Sequence, residues 1–142
     1  MKVLSFDPGI TTGWCLQDEN GMIDAGQAEG FQELDKVLER YPKPDIMVIE
    51  DYVILPQKAK SHSGSRVEPV KIIGLLEHHA YRNDVKVIRY PARMKPIQQR
   101  HSGISPKGSH RNNHWVDAYN HGWWFLFNRK LVKSKLQTEK SK

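Results

Sequence analysis

Apolar residues divide the first part of the chain into three short strands. Val3–Phe6 is a compact apolar run, and similar runs follow over Gly13–Leu16 and Met22–Ala28. The pair Asn20-Gly21 lies between the second and third runs, and this pair is typical of tight β-hairpin turns. The pattern therefore predicts that the chain opens as a three-stranded antiparallel meander.

The rest of the chain alternates between helical spacing and strand-like runs. Helical spacing predicts one helix that ends before Pro42, a second that begins near Pro69, and a last one over about Asn113–Leu131. Strand-like runs lie between them at Asp45–Glu50 and Val85–Tyr90. The first of these is continuously apolar between its acidic ends, as in strands that are covered on both faces. Because it follows a helix, we expect it to lie parallel to the first strand.

This order of elements predicts an α/β fold. We expect a mixed five-stranded sheet, in which the antiparallel meander is joined by parallel strands and flanked by helices. Residues 51–67 are polar, basic and rich in serine, which predicts a loop, and residues 92–111 predict a long basic connection. We expect one domain over residues 1–132 and a basic, disordered tail over residues 133–142.

Composition narrows the setting in which the protein works. The 142 residues are 38% hydrophobic, which is enough for one core. No apolar run approaches the roughly 20 residues that cross a membrane, and Asp7 follows the first apolar residues too soon for a signal peptide. The lack of a long apolar run predicts no membrane partner. The single cysteine, Cys15, excludes an internal disulfide, so we expect a reducing, cytoplasmic location.

Positive charge is concentrated in particular stretches of the chain. The formal net charge is +6, and no acidic residue occurs between Asp84 and Asp117 or over Tyr52–Val67. Basic stretches of this kind favour a nucleic acid as the partner. The candidate DNA-binding residues are Tyr52, Lys58, Lys60, Arg66, Arg93, Lys95, Arg100, Lys107 and Arg111.

Carboxylates end two of the predicted strands. Asp7 ends the first strand and Glu50 ends the fourth, so parallel neighbours would bring both to one edge of the sheet. On the last helix, His114 and Asp117 are three residues apart and share a face, with His121 four residues further on. Three converging carboxylates repel one another unless they surround cations, and oxygen ligands suit Mg²⁺ or Mn²⁺. Such ions can activate water for phosphodiester cleavage.

Each of these residues also has a structural explanation. Asp7 could open a turn, which is a common use of aspartate, and Glu50 could be an ordinary residue at a strand end. His114 could cap the last helix, and Asp117 could be solvated. The combination of all four with an intervening basic stretch favours the catalytic interpretation.

Four short motifs, in their order and spacing, resemble the RuvC-type Holliday junction resolvase family. Phe6–Trp14 looks like the opening of that family, with its Asp-Pro-Gly and later Gly, and Val48–Glu50 is similar to its second acidic strand. Tyr90–Arg93 resembles its Tyr-Ala-Ala-Arg step. His114–Ala118 looks like its final helix, where an Asp or His precedes the last Asp by three residues. The resemblance runs from Val3 to about Phe127.

The resemblance implies a ribonuclease H-like fold, a homodimer and Mg²⁺-dependent nicking of branched DNA, with Mn²⁺ able to substitute. It implies Asp7, Glu50, His114 and Asp117 as the catalytic and metal-binding set. The compact size and the departures from the family, such as Val53 in place of an aromatic residue, fit a phage-type member in a bacterial or phage-infected cell. The preference among four-way junctions, forks and flaps stays open.

Other functions are compatible with the same sequence. A catalytically inactive branched-DNA binding module would keep the fold and the basic surface, but it needs no acidic cluster beside phosphates. A ribonuclease H-like nuclease acting on flaps or RNA–DNA hybrids would use the same residues. An actin-like ATPase is disfavoured, because that fold needs two lobes and this chain is short.

Overall fold

The computed structural model describes residues 1–52, 68–106 and 113–136. Its strands and helices, with a 3₁₀ turn at Ala92–Met94, are β1 (Val3–Asp7), β2 (Thr11–Asp18), β3 (Gly21–Glu29), α1 (Gly30–Arg40), β4 (Ile46–Asp51), α2 (Glu68–Arg82), β5 (Lys86–Pro91), α3 (Lys95–Ser102) and α4 (His114–Asn128). None of the helices in these described ranges is long and apolar enough to span a membrane.

The strands form one sheet in the order β3-β2-β1-β4-β5. β1 pairs antiparallel with β2, and β2 with β3, whereas β4 lies parallel to β1 and β5 lies parallel to β4. The predicted mixed α/β sheet is therefore confirmed. The hairpin turn lies one residue earlier than predicted, because Asp18 pairs with Gly21 and leaves Glu19 and Asn20 as the turn residues. Gly21 has a φ of 129°, a conformation that glycine adopts readily.

Apolar side chains cover both faces of the sheet. One core contains side chains of α1 and α2, such as Leu34 and Ile72, packed with Met47 of β4. The other contains Val48 of β4 and Leu126 of α4. Successive residues of a strand point to opposite faces, so β4 contributes to both cores. This explains the continuously apolar sequence of β4.

Two glycines let α4 approach the sheet closely. A Cβ atom on Gly13 of β2 would collide with the backbone carbonyl of His114 at the start of α4. A Cβ atom on Gly122, in the middle of α4, would lie 2.8 Å from Oγ of Ser5 and would also collide with the amide of Gln17. The absence of side chains at these two positions therefore sets the distance between α4 and strands β1 and β2.

The segment after β5 is more regular than the sequence predicted. The prediction of an irregular connection is wrong for α3, which ends at Gly103 with a φ of 76°. Pro96 is the second residue of this helix, where a missing N–H costs no hydrogen bond. The buried residues of α3, Gln98 and Ser102, are polar, so the helix shows no apolar periodicity.

Residues that follow position 132 also pack against the domain. Ser134 is fully buried, and its hydroxyl lies 2.8 Å from Nδ1 of His101 in α3. The His101 ring also contacts the rings of Trp124 and Phe127 in α4. Residues 137–142 of the predicted tail lie outside the described residues.

We expect Gly13→Ala to lower the free energy of unfolding by about 2 kcal/mol, because the added methyl group must displace the start of α4. The matched control is Gly74→Ala in α2, where an added Cβ meets no atom within 4 Å. That variant should gain up to about 1 kcal/mol from helix propensity. Urea denaturation of both variants checks the expectation, which is wrong if they are equally stable.

Candidate active site

The alternation of the strands places Asp7 and Glu50 on the same face of the sheet. Phe6 pairs with Ile49 in the parallel register of β1 and β4. The residues that follow them, Asp7 and Glu50, therefore lie side by side. Val48 faces α4, and Glu50, two residues further on, therefore points to the same side. Asp117, in the first turn of α4, approaches from above. The structure thus brings together three carboxylates that the sequence predicted to converge.

The ammonium group of Lys95 lies among these three carboxylates. Its Nζ is 2.9 Å from Oε1 of Glu50, 3.4 Å from Oδ2 of Asp117 and 4.0 Å from Oδ1 of Asp7. The carboxylate side chains are only 11–14% exposed, so solvent screens their mutual repulsion poorly. One internal cation therefore compensates part of the negative charge of the cluster.

The pKa values of the neighbouring Asp7 and Glu50 carboxyl groups are shifted in opposite directions. Burial, the hydrogen bond with Glu50 and the charge of Glu50 raise the pKa of Asp7 well above its usual range. Burial alone would raise the pKa of Glu50 as well, but hydrogen bonds with His121 and Asp7 and the charge of Lys95 lower it to about 2. When the pair holds a single proton, that proton therefore favours Asp7 and the negative charge favours Glu50.

A buried histidine supports Glu50 from the interior. His121 is fully buried, with its Nε2 3.1 Å from Oε1 of Glu50 and its Nδ1 3.0 Å from Nε2 of Gln98. The sequence placed His121 on the same helical face as Asp117, but it gave no sign of the contact with Glu50. Gln98 was missed altogether, because α3 was not predicted.

His114 is the first residue of α4, after the N-cap residue Asn113. It is therefore not the cap itself. With Asp7, Ile10 and Pro69, it lines an open depression of about 440 Å³ at the edge of the carboxylate cluster. His114 and Asp7 therefore line the same depression.

The predicted DNA-binding residues fall into four groups. Arg93 and Arg100 are exposed on and next to α3, whereas Tyr52 is partly buried against the core. Lys95 pairs with the carboxylates. Five of the predicted residues lie outside the described part of the chain: Lys58, Lys60, Arg66, Lys107 and Arg111.

The donor chemistry of the cluster fits a hard divalent cation. Asp7, Glu50 and Asp117 offer carboxylate oxygens, the ligands that Mg²⁺ and Mn²⁺ prefer. Within the described ranges, no three histidine, cysteine or acidic side chains are spaced closely enough to hold a metal ion together. The ammonium group between the carboxylates nevertheless shows that this position favours a positive charge.

The strand order and the placement of the helices define a ribonuclease H-like fold of the RuvC type. The chain is similar to Thermus thermophilus RuvC in complex with a Holliday junction substrate, with a TM-score of 0.64, 14% sequence identity, and 94% of this chain and 99% of that chain covered. A second Thermus thermophilus RuvC structure gives a TM-score of 0.62 and 16% identity at the same coverage. No protein-family model and no curated protein matches the sequence. The expected likeness to RuvC is confirmed in the fold.

We expect Lys95→Met to lower the free energy of unfolding by about 1–3 kcal/mol, because it leaves three largely buried carboxylates without their cation. Adding Asp7→Asn should recover most of this loss, since it removes one of the repelling charges. The exposed Lys36→Met in α1 is the matched control and should change stability by less than about 0.5 kcal/mol. Equal stability of the Lys95 and Lys36 variants in urea denaturation would contradict this account.

Proposed function

We propose that this protein is a structure-selective DNA endonuclease that nicks Holliday junctions or other branched DNA by divalent-metal-dependent hydrolysis. The observation that carries the proposal is the convergence of Asp7, Glu50 and Asp117 from three separate elements on one cation position. Buried carboxylates that repel one another cost stability, and a module that only bound DNA would also repel the phosphates with them. In a hydrolytic site, these carboxylates would serve as ligands of the metal.

Asp7, Glu50 and Asp117 would hold Mg²⁺ or Mn²⁺, with His114 at the edge of the same site. When bound, the metal supplies an activated water and stabilises the leaving oxygen. Lys95 lies among the carboxylates, with its Nζ 2.9 Å from Oε1 of Glu50. In this proposal its ammonium pairs with a phosphate oxygen of the substrate, and the exposed Arg93 and Arg100 bind phosphates further along the DNA.

In this proposal, His114 acts as a proton acceptor at the edge of the site. The supporting observation is that His114 lines the same depression as Asp7. A neutral imidazole can take a proton from the attacking water or ligate the metal. We assign it that role in the proposed reaction, since Asn113 and not His114 occupies the helix N-cap.

Branched DNA is the substrate that the fold comparison favours. The similar Thermus thermophilus RuvC was solved in complex with a Holliday junction substrate. A four-way junction presents two symmetric strands, so we also propose a homodimer, whose two-fold symmetry would match them. The exposed arginines next to and on α3 provide sequence-independent contacts with the DNA backbone.

We expect the protein to nick a four-way junction in the presence of Mg²⁺ or Mn²⁺ and to lose this activity in EDTA. Asp7→Asn should abolish cleavage and keep or strengthen junction binding, because it removes a metal ligand and also a charge that repels phosphate. The control, Asp84→Asn, changes an exposed residue that precedes β5, at the end of the sheet opposite the carboxylates, and should cut normally.

The same assay separates the alternative functions when it includes a Y-fork, a flap, a linear duplex and an RNA–DNA hybrid. Preferential cleavage of the hybrid would identify a ribonuclease H activity instead. Junction binding without cleavage at any metal concentration would identify an inactive binding module. Cleavage by Asp7→Asn at the normal rate, or cleavage in EDTA, would overturn the metal-dependent mechanism.

We expect His114→Ala to slow cleavage at least about 100-fold, the usual size of the effect for a positioned acid or base. His114→Asp should restore part of the activity, because a carboxylate at this position can also ligate Mg²⁺. Single-turnover cleavage and thermal unfolding should be measured on the same samples. A His114→Ala variant that cuts at the normal rate and only melts earlier would show that His114 is structural.

A further inference from the structure

We infer that His121 and Gln98 are positioning residues that orient the Glu50 carboxylate for metal binding. This inference rests on the proposed function, since it concerns the same site. It assigns a role to two buried side chains that contact neither the surface nor, in the proposed reaction, the DNA. The relay runs from Gln98 in α3 through His121 in α4 to Glu50 in β4.

The direction of the hydrogen bonds follows from the chemistry of the amide. Nε2 of Gln98 can only donate, and it lies 3.0 Å from Nδ1 of His121. Nδ1 must therefore accept and carry no proton. The proton of the neutral ring is then on Nε2, which donates to Oε1 of Glu50 over 3.1 Å. Gln98 thus selects the one neutral form of His121 that can support Glu50.

The arrangement is poorly explained by stability alone. Oε1 of Gln98 is buried and has no hydrogen-bond partner among the described residues. A buried carbonyl without a partner disfavours folding, and an apolar side chain of similar size would avoid this penalty. What Gln98 does provide is the hydrogen bond that fixes His121. Side chains that orient metal ligands in this way are a regular part of metal sites.

His121 and Lys95 reach the same oxygen of Glu50 from different sides. Lys95 approaches with its side chain 26% exposed, whereas His121 is fully enclosed. A cation that replaces the ammonium would remove the contact with Lys95 but leave the contact with His121 in place. His121 is therefore the support that persists when the site changes its cation.

The α3–α4 interface keeps the relay in register. Oγ of Ser102 donates to Oδ1 of Asn120 over 2.5 Å, and Nδ2 of Asn120 donates to the carbonyl of Ile104 over 3.0 Å. Asn120 immediately precedes His121, and Ser102 lies one helical turn after Gln98. These bonds fix α3 beside α4, so that Gln98 meets His121 and Lys95 meets the carboxylates.

The test measures Mn²⁺ affinity by isothermal titration calorimetry without DNA. We expect His121→Ala to bind Mn²⁺ about 10–100-fold more weakly than the unaltered protein. His121→Gln should restore most of the affinity, because its amide can donate from the place of Nε2. The control is Leu126→Ala, a fully buried residue of the same helix that belongs to the apolar core. It should melt earlier and bind Mn²⁺ normally.

A double-variant comparison separates positioning from a general loss of structure. In a Glu50→Gln background, His121→Ala should change the Mn²⁺ affinity no further, because the carboxylate that it orients is gone. Normal Mn²⁺ affinity of His121→Ala, or an equal loss in the Glu50→Gln background, would overturn this inference alone. If the unaltered protein neither binds Mn²⁺ nor cuts DNA, the proposed function fails and this inference falls with it.

A spectroscopic measurement keeps the inference testable if His121→Ala does not fold. Long-range ¹H–¹⁵N NMR of the unaltered protein should show His121 as the neutral form with its proton on Nε2. Gln98→Leu, which removes the donor to Nδ1, should weaken Mn²⁺ binding and populate the other form. A proton on Nδ1 in the unaltered protein would overturn the relay.

Discussion

The repulsion among three largely buried carboxylates is the constraint on which the rest of this structure depends. Asp7, Glu50 and Asp117 come from three elements, and within the described part of the chain the ammonium group of Lys95 lies among them. Within the cluster, the pKa of Asp7 is raised and that of Glu50 is lowered, so a single proton on this pair favours Asp7. Such a cluster persists only where the surrounding backbone holds its members in place.

That backbone is held by close packing on one side and by polar contacts on the other. Gly13 and Gly122 allow α4 to lie directly on β1 and β2, which fixes the position of Asp117 above the sheet. The opposite helix, α3, presents Gln98 and Ser102 to α4 instead of an apolar face. Hydrogen bonds depend on direction more strongly than apolar contacts do, so this interface orients α3 as well as holding it.

The sheet could be predicted because each strand is indicated by a short, continuous stretch of the sequence. Short apolar runs, one of them the continuously apolar β4, indicated the strands, and carboxylates at strand ends indicated Asp7 and Glu50. The helix α3 was missed because its buried residues, Gln98 and Ser102, are polar. The bond between His121 and Glu50 joins residues 71 positions apart. The spacing of residues along a helix or a strand cannot indicate a contact between residues so far apart in the sequence. Only the three-dimensional structure shows it.

The low identity with the similar structures fits this physical picture. At 14–16% identity the chain keeps the RuvC fold over 94% of its length. What the cluster requires is a set of positions: two strand ends on one face, a helix start above them, and a cation between them. A divalent cation and the Lys95 ammonium would repel each other if both lay in contact with the same three carboxylates. On the proposed function, a metal held by these carboxylates would favour an ammonium position further from them, where Lys95 would be available to the phosphate of the DNA.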